Sequence, residues 1–168
     1  MNFYESNILK KTIKPKVLLR SMGVRRDAGY CLVLKAMLEK YGYKVFISCT
    51  RNFDFALKFW KPDIVILSNF SGVKKVKKLS PNSFVIFLEG EGFNIYDSYM
   101  ADHCYENRHI FKLYDLILLW GDVHVNSFKK YKNKINTDNI FAIGNPKIDL
   151  IRYLPLNKIK KTIKTIGF

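Results

Sequence analysis

KVLLRSMGVRRDAGYCLVLKAMLEKYGYKVFISC, residues 16–49, decides how this chain folds. KVLLR (16–20) is a short apolar run rich in branched side chains, and KVFISC (44–49) is a second one. Between them lie a loop, SMGVRRD, and a segment, AGYCLVLKAMLEKYG, whose Leu32, Ala36 and Leu38 to Tyr41 spacing predicts an amphipathic helix ended by Gly42. Strand, loop, helix and strand in about 34 residues is one β-α-β unit.

The same unit recurs downstream. NFDFALKFW (52–60) reads as a helix ended by Pro62, and DIVILS (63–68) as a third strand. FSGVKKVKKLS reads as a helix, SFVIFLE (83–89) as a fourth strand, and DSYMADHCYENRHIFKLY as a helix. DLILLWG (115–121) gives a fifth strand, VHVNSFKKYK a helix and NIFAIG (139–144) a sixth strand. Near-continuous apolar strands alternating with helices predict an α/β fold, a Rossmann-like three-layer sandwich around a mostly parallel six-stranded sheet. The expected organisation is a polar extension over 1–15, the α/β domain over 16–152 and a basic linker or crossing-helix tail over 153–168.

Composition narrows the function classes. The 168 residues are 48% hydrophobic and 26% charged, which excludes wholesale disorder, collagen-like repeats and a disulfide scaffold. Cys31, Cys49 and Cys104 form no CxxC pair, and His103, His109 and His124 form neither HxxxH nor HExxH, so a zinc centre is not expected. There is no GxSxG elbow and no GxxxxGK[ST] loop. The N-terminus lacks signal-peptide order and no apolar run approaches bilayer length, so a cytoplasmic place is expected. The 29 Lys and Arg against 14 acids give a net charge of +15. Only six of those cations are arginine, and 17 isoleucines and 13 asparagines accompany the 23 lysines, as an A/T-rich gene would dictate. The charge therefore leaves two expectations, a solvated lysine-rich surface or peripheral contact with an anionic membrane surface at the inner face, and argues against nucleic acid.

In an open parallel sheet, ligands gather beyond the carboxyl ends of the strands. Four loops lie there. SMGVRRDAGY sets Arg25, Arg26 and Asp27 at a helix start, though its glycines do not make a dinucleotide fingerprint and Asp27 also suits an N-cap. LEGEGFN offers Glu89 and Glu91, each followed by glycine, as carboxylates able to act as a general base. WGDVHVN places Trp120 and His124 where an indole can line a sugar cleft and an imidazole can titrate. GNPKIDL combines Asn145 and Pro146 in a rigid turn before Asp149.

In this order the loops resemble a family of bacterial surface carbohydrate biosynthesis proteins, capsule and lipopolysaccharide proteins distantly related to glycosyltransferases of the two-domain GT-B fold. The matching pieces run from KVLL through RRDAGYCLVLKAMLEKYGYKVFI, KPDIVIL, LEGEG and DLILLWG to NIFAIGNPKIDLIR. Glu91 and Gly92 fit the family's Glu-Gly, Trp120 and Gly121 its Trp-Gly, and Gly144, Asn145, Pro146 and Asp149 its final turn; Lys147 stands where arginine is common. The resemblance implies an acceptor-side domain. Glu91, with Glu89 as neighbour or substitute, would be the base, and Arg25, Arg26, Asp27, Trp120, His124 and Asn145 would contact the acceptor. It also implies that a nucleotide-sugar co-substrate binds a second Rossmann-like half, in the same gene or a separate chain, that the acceptor is a glycan or lipid-linked glycan, and that no cofactor or metal is held tightly. The alternative is a non-catalytic Rossmann-like binding module left after truncation.

Overall fold

A computed structural model describes residues 14–69, 72–90, 108–129 and 138–145. β1 (Lys16–Ser21) is followed by a widened helical turn (Val24–Ala28) that runs directly into α1 (Gly29–Lys40). β2 (Lys44–Cys49) leads into α2, which opens with a tight turn (Thr50–Asn52), passes through Phe53–Phe55 and closes on a second widened turn (Ala56–Trp60). β3 (Ile64–Leu67), α3 (Val73–Leu79), β4 (Phe84–Leu88), α4 (Arg108–Phe111), β5 (Leu116–Leu119), α5 (Asp122–Lys129) and β6 (Ile140–Ala142) complete the order.

The six strands form one sheet in the order β2-β1-β3-β4-β5-β6, and all five pairings are parallel. The fold is thus the expected α/β one, with the strand order of flavodoxin-like sheets rather than of dinucleotide-binding ones. The chain runs outward from β1 to β2, then crosses β1 to reach β3 and continues in the opposite direction. That reversal places α1 on one face and α2, α3, α4 and α5 on the other, as right-handed crossovers require.

Two apolar layers result. On the face of α2 to α5, Leu18, Val65, Leu67, Val85, Phe87, Ile117 and Leu119 of the strands pack against Phe53, Leu57, Val73, Val76, Phe111 and Val125. Phe87 meets Phe111 edge-on, with ring centroids 6.3 Å apart. On the other face Val17, Leu19, Val45 and Leu88 meet Tyr30 and Cys31 of α1. The structure revises the α1 face. Of the expected stripe Leu38 turns inward, but Leu32 is 59% exposed, Ala36 is exposed and Tyr41 is 76% exposed, and Tyr30, Cys31 and Leu34 face the sheet instead. The loop expected over SMGVRRD is helical from Val24, and the face that α1 turns inward is the one that packs on Val17, Leu19, Val45 and Leu88.

The stops fall where sequence places them. Gly42, at φ +90°, closes α1: its N–H donates to Glu39 O at 3.0 Å, and the Tyr43 N–H donates to Leu38 O at 3.1 Å. Lys61 ends α2 in the left-handed region at φ 50°, just before Pro62. The DSYMADHCYENRHIFKLY helix is described only from Arg108, and residues 1–13 of the polar extension and the whole tail over 153–168 lie outside the described residues.

Leu57 is fully buried while Phe55, two residues earlier on α2, is 65% exposed. Leu57→Ala is expected to lower unfolding free energy by about 2–5 kcal/mol, and Phe55→Ala to change it by no more than about 0.5 kcal/mol. Urea unfolding of both variants checks this.

Candidate functional site

Parallel strands buried on both faces carry apolar side chains along their length, so polar groups collect where the strands end. Two groups of them do so here. The first sits at the reversal of strand order. Arg20, next to last in β1, has only 7% of its surface exposed; its guanidinium lies 4.8 Å from the Phe53 ring centroid, and Nη1 donates to Asn69 Oδ1 at 3.3 Å. The Tyr114 hydroxyl donates to the Asn69 carbonyl at 3.1 Å, fixing the β3 end from below. Ser68, also buried, has its Oγ in no hydrogen-bond geometry although the Tyr30 hydroxyl lies beside it.

The second group joins β4 to β5. Glu89 is 1% exposed. Its Oε2 accepts the Trp120 backbone N–H at 3.1 Å, while its carbonyl accepts the Trp120 indole N–H at 2.9 Å. His124, on the first turn of α5, brings Nδ1 to 3.2 Å from the same Oε2, at an angle that leaves the hydrogen bond incomplete. A buried carboxylate beside a buried imidazole is a pair able to hold and move a proton. Gly90 ties the two groups together, because a Cβ there would stand 2.9 Å from Ser68 Cβ. This glycine is demanded by close packing of the β3 and β4 ends.

The other expected residues fall differently. Asp27 is fully buried: Oδ2 accepts the Met22 N–H at 2.8 Å and Oδ1 accepts Arg26 Nε at 3.2 Å. Its N–H also donates to Gly23 O at 3.0 Å, so Asp27 fixes the β1–α1 loop. Arg25 is exposed, Arg26 half-buried, and Asn145 half-buried just past β6. Glu91, Pro146, Lys147 and Asp149 lie outside the described residues. Arg20, Ser68 and Asn69 were not singled out by the sequence reading. The signal was there: the only charge in KVLLR beyond its first residue, and the first polar residues after DIVIL, stand at the edge where ligands bind.

Among the described residues no group of three or more His, Cys, Asp or Glu is placed to hold a metal ion, and no helix is long and apolar enough to cross a membrane. Fold and site together define a doubly wound α/β protein with a buried polar edge. No family model, curated protein or solved structure matches the chain.

Burial pushes the phenols of Tyr30 and Tyr114 well above the ordinary tyrosine value. The folded state therefore keeps two protons that the unfolded chain releases near pH 10. The stability tied to these phenols is complete below about pH 10 and falls as pH rises beyond it. Alkaline titration followed by phenolate absorbance is expected to show these two tyrosines ionising only with loss of the near-ultraviolet circular dichroism.

Proposed function

We propose that the chain is the acceptor-side domain of a glycosyltransferase-like protein of surface polysaccharide synthesis, acting with a second Rossmann-like half that binds the nucleotide-sugar donor. The observation that supports this most is the Glu89–His124 pair at the carboxyl edge of the sheet, with the Trp120 indole beside it. Glu89 is too enclosed to touch a substrate, so it acts as a positioning residue. His124 takes the proton from the acceptor hydroxyl as that oxygen bonds to the sugar carbon and the nucleoside diphosphate leaves. The Trp120 ring offers an apolar surface to a sugar face. Glu91 is the direct alternative for the base, in line with the resemblance.

A second reading, a binding module without turnover, is favoured by one feature: the Glu89 carboxylate is already engaged by a backbone N–H, a use that needs no reaction. The two readings separate in one assay. Cell extract from the source organism lacking this gene is supplied with purified chain and labelled nucleotide sugars, and label entering lipid-linked or polymeric glycan is counted. Wild-type chain is expected to restore transfer, and His124→Asn to lower it about 10²–10⁴-fold, with Glu89→Gln also impaired. A large loss in Glu91→Gln with His124→Asn unimpaired moves the base to Glu91. Glycan binding without any restored transfer establishes the binding module, and neither binding nor transfer refutes both.

A further inference from the structure

α2 has a second face that the core does not use. Phe53, Ala56 and Leu57 point inward, whereas Phe55 and Phe59, one helical turn apart, are 65% and 70% exposed. Their rings lie against one another, tilted by 37°, with centroids 4.5 Å apart. Two adjoining phenylalanines in water bring no core packing and form an exposed apolar patch.

The surroundings of the pair are cationic. Arg51, Lys58 and Lys61 are exposed along the same stretch. Asp54, the acid of that stretch, has both carboxylate oxygens held by Lys75 at 3.0 Å. From Lys58 and Lys61 a cleft of about 370 Å³ continues to Ser80 and Asn82. Asp63 also lines it, but Asp63 Oδ2 accepts the Lys16 backbone N–H at 2.7 Å. Lys61 holds its place at φ 50°, a conformation in which glycine would sit without strain.

We propose that this face docks on an anionic phospholipid bilayer: Phe55 and Phe59 enter the boundary between headgroups and acyl chains, and the cleft between Lys58 and Lys61 takes a lipid phosphate. Aromatic side chains flanked by lysines are the pattern of a surface-lying helix, and an anionic leaflet complements the +15 charge of the chain. Neighbouring lysines do not serve equally. In α3, Lys75 is tied to Asp54 and Lys77 to Asp115 at 2.9 Å. The inference rests on the α2 face alone and stands or falls apart from the transfer reaction.

The test uses the full chain and vesicles of phosphatidylcholine with or without phosphatidylglycerol. Flotation is expected to recover the chain with the anionic vesicles only, and brominated acyl chains to quench Trp60, which adjoins Phe59. Phe55→Ser/Phe59→Ser, two exposed substitutions whose fold circular dichroism verifies, is expected to weaken partition at least about tenfold. Lys58→Gln/Lys61→Gln is expected to weaken it about fivefold per lysine. Equal flotation of the Phe55→Ser/Phe59→Ser variant overturns the proposal. So does release of wild-type chain by millimolar inorganic phosphate at constant ionic strength, which makes the cleft a free-phosphate site. A concentration-dependent dimer that the same variant abolishes, without vesicle binding, assigns the face to a second copy.

Discussion

A strand hydrogen-bonded on both sides and covered on both faces has nowhere along its length to put a polar side chain. Everything else in this molecule follows from that exclusion. β1, β3, β4 and β5 satisfy it with Val, Leu, Ile and Phe, and each then ends on a polar residue or on Trp120. The ends must still meet the desolvation of what they carry. Arg20 meets it with Asn69 and the face of Phe53, and Glu89 with two groups of Trp120 and the nearby imidazole. The same contacts bind β1 to β3 and β4 to β5 beyond the ladder. Polar chemistry at this edge is therefore part of what holds the strand ends together.

This division also explains what sequence could and could not reveal. Strand identity is a one-dimensional property: DIVIL and FVIFL announce buried parallel strands by composition alone. Helix ends are nearly as local, because Gly42 and Pro62 act on their own turns. Helix phase is not. The Leu32, Ala36 stripe is as periodic as the Tyr30, Cys31, Leu34 stripe, with Leu38 common to both, and the choice between them is made by packing on Val17, Leu19, Val45 and Leu88 of the sheet.

The site was legible as loops and not as partners. LEGEG and WGDVH sit at the expected edge, but that Glu89 would meet Trp120 and His124 depends on β4 pairing with β5 across 31 residues of chain. Asp27 looked available because a carboxylate at a helix start usually faces water; its complete burial is a tertiary fact. Arg20 was overlooked for the converse reason, since an arginine closing a strand resembles ordinary solvent punctuation until Phe53 and Asn69 are brought to it from α2 and β3.

The Asp27 clasp also bears on the cost of binding. In many doubly wound proteins the first β-α loop becomes ordered as its ligand arrives, and ordering costs conformational entropy at that moment. Here Met22, Gly23 and Arg26 are already engaged by one residue of the same loop. A molecule binding at the edge beside Arg20 would meet a wall that is already set, and no ordering of this loop would be charged to its binding.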